Sequence, residues 1–105
     1  MKGFQVPPAE LEALLLTHPD VADAGVIGVP DDYSGELPRA YVVLKPGREG
    51  NVDERGIMEW VEERVANYKR LKAGVVFIDA IPKSASGKIL RRVLKDRYEQ
   101  ERQQE

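Results

Sequence analysis

The chain has 105 residues, of which 42% are hydrophobic and 32% charged, with a net charge of −2 and no cysteine. This composition is typical of one soluble globular domain, and it excludes disulfides and thiolate metal sites. No apolar run approaches the roughly 20 residues that span a bilayer, and no signal peptide follows Met1. The last residues are not a peroxisomal Ser-Lys-Leu signal, so we expect a cytoplasmic protein.

The first half of the chain predicts a short extended segment at residues 3 to 6, then a helix and two strands. The helix begins near Pro8, because proline is tolerated at the first helical position, and it ends before Pro19. Residues 21 to 29 are rich in small and β-branched side chains, which favour a strand. Residues 30 to 38 predict a loop by their composition, and residues 39 to 45 predict a second strand.

The second half predicts a helix, a strand and a final helix. Asp53 is the candidate N-cap of a helix whose apolar side chains, including Trp60, recur at helical spacing and predict core packing. Residues 74 to 78 predict a third strand, and Ser86 is the candidate N-cap of the C-terminal helix. Three strands interleaved with three helices predict an α+β fold. We expect a small sheet of about three strands, covered by about three helices, in a single compact domain over residues 1–105.

Lys88 violates a local rule in this prediction. It would occupy the first turn of the last helix, where unpaired N–H groups and the helix dipole favour anions over cations. Gly87 beside it permits close approach of the backbone. Residues 69–97 also have a net charge of +7, whereas residues 1–68 have −7. A phosphate or carboxylate bound at this corner would resolve the conflict.

Three functions compete for this segment. A phosphate-binding P-loop is rejected, because Pro82 stands where that motif needs glycine and Ile89 where it needs Ser or Thr. A nucleic-acid surface would lack interleaved aromatic side chains, and a pI of about 5.5 is low for such a domain. The third function is catalytic: a lysine on a flexible loop, brought to negative charge that develops on a phosphoryl or acyl-phosphate oxygen. The nucleic-acid surface would consist of Lys83, Lys88, Arg91, Arg92, Lys95 and Arg97. For Arg92, Lys95 and Arg97, a charged helix face exposed to solvent is the simpler interpretation.

Motifs that resemble one family are spaced along nearly the whole chain, at residues 2–12, 18–24, 35–40, 68–69 and 81–92. The first reads Lys-Gly-Phe-Gln-Val-Pro-Pro-Ala-Glu-Leu-Glu and the last Ile-Pro-Lys-Ser-Ala-Ser-Gly-Lys-Ile-Leu-Arg-Arg. In this order they resemble the C-terminal domain of the AMP-forming acyl-CoA synthetases. The similarity is greatest to the branch that holds 4-coumarate–CoA ligase and firefly luciferase.

The resemblance implies a two-step ligase with ATP and CoA as co-substrates. A carboxylic acid and ATP give acyl-AMP and pyrophosphate, and CoA then displaces AMP, while the small C-terminal domain rotates between the two steps. Lys88 matches the lysine that stabilises adenylation, with Gly87 in the mobile loop beside it. Lys2 and Gly3 match the family's CoA-contacting pair, and Gln5 matches a position that contacts the acyl-adenylate. Mg²⁺ is expected through ATP and another domain.

The sequence departs from this branch at its start. The branch usually has an aromatic residue and a further lysine before the Lys-Gly pair, whereas Met1 stands directly before it here. We therefore expect a C-terminal lid from a longer enzyme, in which Met1 is not native, and expect it to be monomeric and inactive alone. Its partners would be the large N-terminal adenylation domain and a small carboxylic acid, without nucleic acid or membrane. The alternatives are a stand-alone non-catalytic module, or an adenylation-domain lid that serves a carrier protein or luciferase-type chemistry.

Overall fold

A computed structural model of the protein describes residues 5–104, and these residues have the predicted α+β architecture. The helices are α1 (Pro8–Leu15), α2 (Glu54–Glu62) and α3 (Arg91–Gln103). The strands are β1 (Val21–Asp31), β2 (Gly35–Leu44) and β3 (Val75–Phe77). Between α2 and β3, Asn67–Lys69 forms one 3₁₀ turn. No helix within the described range is long and apolar enough to cross a bilayer.

The three strands form one mixed sheet with β2 in the centre. β1 and β2 are antiparallel from the Val21↔Leu44 pair to the Asp31↔Gly35 pair. β3 lies parallel to β2 on its other side, beginning at the Ala40↔Val75 pair. β1 is therefore an edge strand, and the polar backbone groups on its outer side need partners from elsewhere in the fold.

The predicted loop at residues 30 to 38 is wrong, because most of this stretch is strand. Only residues 32 to 34 form the turn, since the Asp31 carboxylate accepts hydrogen bonds from the N–H groups of Tyr33 (3.2 Å) and Ser34 (2.8 Å). Pro30 fits in β1 because alternation places its nitrogen on the outer edge of the strand, on the side of the Val26 N–H. Composition alone could not show that a proline lies on an edge.

The core consists of two buried clusters, one on each face of the sheet. Alternate residues of β2 separate them: Ala40 and Val42 belong to the cluster that packs against α1 and α2, and Tyr41 to the cluster beneath α3. Leu94 is the fully buried residue that α3 contributes. The Asp53 cap is confirmed, because its carboxylate accepts the Gly56 N–H at 2.8 Å. Trp60 packs against the first cluster, as its helical position predicts.

The C-terminal part of α3 is held to β2 through the Glu101 carboxylate. This carboxylate accepts hydrogen bonds from the Arg39 guanidinium (2.8 Å) and the Tyr41 hydroxyl (2.9 Å) on β2, and from Arg97 (3.2 Å). Burial acts to raise the pKa of Glu101, but the hydrogen bonds from Arg39 and Tyr41 outweigh it and hold the pKa below its ordinary value of 4.5.

This lowered pKa predicts a loss of stability in acid. A folded-state pKa below the unfolded-state value stabilises the fold above about pH 4.5, and that contribution disappears as the pH falls through the folded-state pKa. We therefore expect Glu101→Gln to be less stable than the wild type at pH 7 and to lose less stability between pH 7 and pH 3. Urea unfolding at pH 7 and at pH 3 measures the free energy of unfolding of the wild type and the variant, and Glu99→Gln is the surface control. Equal acid dependence of the wild type and Glu101→Gln would contradict the expectation.

Candidate functional site

Lys88 lies in a tight hairpin between β3 and α3. Lys83 and Ile89 form an antiparallel bridge at its base. The N–H of Ser84 donates to the carbonyl of Lys88 at 2.9 Å, and the N–H of Gly87 donates to the carbonyl of Ser84 at the same distance. Residues 85 to 87 therefore form the loop of a three-residue hairpin, with a glycine in the left-handed region at its end.

The predicted start of the last helix is wrong. Ser86 caps no helix, and α3 begins only at Arg91. The Ser86 hydroxyl lies 3.1 Å from the Ser84 hydroxyl, which accepts the Lys88 N–H at 3.2 Å. Because short polar side chains compete with helical hydrogen bonds for nearby N–H groups, this segment closes as a hairpin. Lys88 therefore does not lie at a helix N-terminus, and the electrostatic conflict inferred from the sequence does not arise.

The backbone turn of the hairpin requires a glycine at position 87. Its φ is +88°, and a Cβ built at this position would meet no atom within 4 Å. A side chain would thus find open space, but the backbone conformation is one that residues other than glycine rarely adopt. The positive φ accounts for a glycine at this position, and the close approach that the sequence suggested stays a prediction.

Replacing Gly87 by alanine is expected to destabilise the protein by about 1–2 kcal/mol, the cost of a left-handed conformation for a residue with a Cβ. The free energy of unfolding in urea measures this cost. Ala85→Ser is the matched control, because Ala85 is an exposed residue of the same loop without a positive φ. A control variant that loses as much stability as Gly87→Ala would contradict the explanation.

Side chains of β1 and α1 hold both ends of the hairpin. The Lys83 ammonium lies 2.7 Å from the Asp23 carboxylate on β1. Arg91, which follows the hairpin, lies 2.6 Å from the Glu12 carboxylate on α1. Ile89 packs against the second core cluster. The base of the hairpin is therefore fixed to the domain, while Lys88 near its tip is exposed.

The basic second half of the chain is partly neutralised by the acidic first half. Among residues 5–104, three cations of the second half pair with carboxylates of the first: Lys69 with Glu10, Lys83 with Asp23, and Arg91 with Glu12. Of the remaining cations in the predicted nucleic-acid surface, Arg97 pairs with Glu101. Lys88, Arg92 and Lys95 form no ion pair with any residue from 5 to 104, and all three are exposed. Within residues 5–104, three of the six cations of the predicted nucleic-acid surface therefore pair with a carboxylate and three do not.

The other predicted site residues lie at the N-terminal end of the chain. Lys2 and Gly3 lie outside the described residues. Gln5 is exposed, and no hydrogen bond connects it to the hairpin within residues 5–104. The next residue, Val6, donates its N–H to the Glu36 carboxylate on β2 at 3.3 Å. This contact gives Glu36 a structural role, because it joins the N-terminal segment to β2.

The described residues provide a cation but no enclosed ligand site around it. A shallow groove of about 460 Å³ lies elsewhere, near Ala22, Leu44 and Phe77. Among residues 5–104, no cluster of three or more His, Asp or Glu side chains is placed to hold a metal ion. The hairpin can therefore present a positive charge to an anion that another surface holds.

Sequence reasoning missed Glu12 and the contact that Arg91 makes with it. Glu12 is only 7% exposed although it is charged. The sequence did contain a signal: Glu12 stands next to Leu11 and three residues before Leu15, which places it on the side of α1 that faces the core. A carboxylate at such a position needs a buried partner, but the sequence does not show which cation reaches it.

Comparisons with known proteins agree on one family. A family model described as "AMP-binding enzyme C-terminal domain" matches residues 10–88. The chain is 55% identical over 95 residues to "Probable 4-coumarate–CoA ligase 1" of Dictyostelium discoideum, and 53% identical over 95 residues to a luciferin 4-monooxygenase of Nipponoluciola cruciata. Each match covers 90% of this chain and 17% of the relative. The solved structure of a Mycobacterium tuberculosis fatty acyl CoA synthetase matches with a TM-score of 0.76 at 41% identity, over 89% of this chain and 18% of that one.

Proposed function

Because this chain belongs to the AMP-binding enzyme C-terminal domain family, we propose that it is the C-terminal lid of an ATP-dependent carboxylate–CoA ligase. The chain spans 17% of the length of the curated relatives described above, so a large adenylation domain would supply the sites for ATP and the acid. The proposed substrates are a small carboxylic acid, ATP and CoA.

The single observation that carries the proposal is the state of Lys88. It is exposed, forms no ion pair within residues 5–104, and lies in a hairpin whose base is fixed by Lys83 and Arg91. A lysine without a structural partner remains available to an external anion. The family match ends at residue 88, so it includes this lysine.

In the proposed first step, a carboxylate oxygen of the acid attacks the α-phosphorus of ATP, and the bond to pyrophosphate breaks. The Lys88 ammonium would lie against the carboxylate and the α-phosphate oxygens, where negative charge is concentrated in the transition state. Its effect is electrostatic stabilisation and orientation, and it transfers no proton. The acyl-adenylate product retains the carboxylate oxygen as its bridge to phosphorus.

In the proposed second step, the thiol sulfur of CoA attacks the carbonyl carbon of the acyl-adenylate and its proton is lost to solvent. The bond from that carbon to the phosphate oxygen breaks, and AMP leaves. We propose that Lys2 and Gly3 contact CoA and that Gln5 contacts the acyl-adenylate, as the resemblance implies. Glycine at position 3 would allow the backbone to approach the pantetheine arm. The Mg²⁺ that accompanies ATP finds no ligand cluster in residues 5–104, so it would be held by ATP and the large domain.

A chimera tests the proposal. This chain replaces the corresponding C-terminal segment of the Dictyostelium relative named 4-coumarate–CoA ligase 1, and the product is assayed for 4-coumaroyl-CoA, AMP and pyrophosphate. We expect the chimera to form all three, and the relative truncated before this segment to form far less. A second chimera with the C-terminal segment of the Nipponoluciola protein checks that the junction is tolerated. A folded but inactive first chimera, beside an active second one, would overturn the proposal.

A further inference from the structure

The outer edge of β1 is closed at one point by two side chains from different helices. The Val26 N–H donates to Oε2 of Glu12 at 2.8 Å, and the Val26 carbonyl accepts a hydrogen bond from Nε of Arg91 at 3.2 Å. Oε1 of Glu12 in turn accepts a hydrogen bond from the Arg91 guanidinium at 2.6 Å. These three residues form a closed triangle, which we call the edge clamp.

The carboxylate of the edge clamp is more deeply buried than that of the neighbouring ion pair on α1. The side chain of Glu12 is 9% exposed and that of Arg91 33%, and both carboxylate oxygens of Glu12 have partners. Removing one residue of such a pair leaves the charge of the other buried and without a partner. Glu10, on the same helix, pairs with Lys69 at 2.8 Å, but its side chain is 55% exposed. Exposed pairs of that kind hold side chains weakly.

The edge clamp is connected to Lys88 through two residues that are themselves fixed. Arg91 is the first residue of α3, and Leu90 before it makes no side-chain cap bond. The N–H of Leu90 donates to the carbonyl of Pro82 at 2.9 Å, and Ile89 forms the bridge with Lys83. The edge clamp therefore holds the first residue of α3 in place and, through Leu90 and Ile89, the end of the second strand of the hairpin.

We propose that the edge clamp positions Lys88, so that Glu12 and Arg91 are positioning residues for the reaction. The inference rests on the proposed function, in which Lys88 must reach the reacting phosphoryl group in a defined orientation. A cation on a long stem stabilises a transition state only if its backbone is held at the correct distance, and misplacement by about 1 Å can cost a factor of about 100 in rate. Glu12 touches no substrate in this scheme.

The test measures the two half-reactions of the chimera separately. We expect Glu12→Gln to lower kcat for pyrophosphate release by a factor of about 10 to 100, with little change in the KM for ATP. The formation of 4-coumaroyl-CoA from supplied 4-coumaroyl-adenylate should fall by less than a factor of about 3, because that step does not use Lys88. Arg91→Lys, which keeps the charge but not the forked geometry, should lie between the wild type and Glu12→Gln. Glu10→Gln is the matched control and should leave both half-reactions unchanged.

A double-mutant cycle separates positioning from a general structural role. In a Lys88→Ala background, Glu12→Gln should have almost no further effect on adenylation, since no lysine remains to be positioned. Multiplicative losses in the double variant, or equal losses in both half-reactions, would overturn the inference while leaving the proposed function intact. If Lys88→Ala adenylates normally, the role proposed for Lys88 fails and the inference fails with it, whereas the proposed function is overturned by a folded but inactive chimera.

Hydrogen exchange on this chain alone gives a readout that does not depend on activity. Glu12→Gln should accelerate exchange of the Lys88 and Leu90 amides by a factor of about 10, whereas Glu10→Gln should not. Unchanged exchange at both amides would overturn the inference even if the chimera proved inactive. The Val42 amide in the central strand reports whether the variant remains folded.

Discussion

Replacing Lys88 by alanine is expected to slow acyl-adenylate formation by a factor of about 100 to 1,000, the range typical of losing one preorganised electrostatic donor. The ammonium would stabilise negative charge on the carboxylate and the α-phosphate as pyrophosphate leaves. The loss should appear in kcat, because the interaction strengthens in the transition state. Pyrophosphate release by the chimera measures it directly.

The same substitution should leave the second half-reaction and the fold intact. Thioester formation from supplied 4-coumaroyl-adenylate is expected to survive in Lys88→Ala, since CoA meets a different face of the domain in the proposed scheme. Lys88 is exposed and forms no ion pair within residues 5–104, so its removal should not change the free energy of unfolding measurably. Lys95→Ala removes an equally exposed and unpaired cation from α3 and serves as the control. Normal pyrophosphate release by Lys88→Ala would refute the assignment of this lysine.

Replacing Leu94 by alanine is expected to destabilise the domain by about 3 kcal/mol, within the range for large-to-small changes in a core. Leu94 is 1% exposed and is the buried residue of α3. A methyl group of Leu94 packs directly over Gly25 of β1, where a Cβ would lie only 2.8 Å from it. The substitution therefore opens a cavity between α3 and the sheet, because backbone on the other side cannot move in to fill it.

The neighbouring residue provides the control for this prediction. Val93 is 46% exposed, so Val93→Ala should change the free energy of unfolding by less than about 0.5 kcal/mol. Urea unfolding of both variants, followed by circular dichroism, gives the comparison. If Leu94→Ala cost no more than Val93→Ala, α3 would be held by its polar contacts, such as Glu101, and not by packing.

The elements with strong local signals were predicted well from the sequence. Pro8 marks the first position of α1, and Asp53 caps α2, as expected. β1 contains the first predicted strand and β2 contains residues 39 to 44 of the second, and each extends into the stretch that composition assigned to a loop. Composition assigns a loop wherever prolines and glycines are frequent. The turn itself, which the Asp31 carboxylate closes, has only three residues. The loop was overestimated for that reason.

The segment around Lys88 shows the same limit at the candidate site. The sequence identified the lysine and the glycine beside it, but it placed them in a helix that begins only at Arg91. Apolar residues at 89, 90, 93 and 94 suit a helix by their spacing. The backbone bond from Leu90 to Pro82 and the bridge from Ile89 to Lys83 instead make the first two part of a hairpin.

By itself, the sequence determined the fold class, the family resemblance and the lysine on which the proposed chemistry depends. These features follow from patterns within a few residues: apolar spacing, caps, turn residues and ordered motifs. Only the tertiary structure decided which charges neutralise one another and what holds the hairpin. Glu12 and Arg91 are 79 positions apart, and their contact exists because the outer edge of β1 has backbone groups that need partners. Such pairings depend on distances through space, which local patterns do not encode.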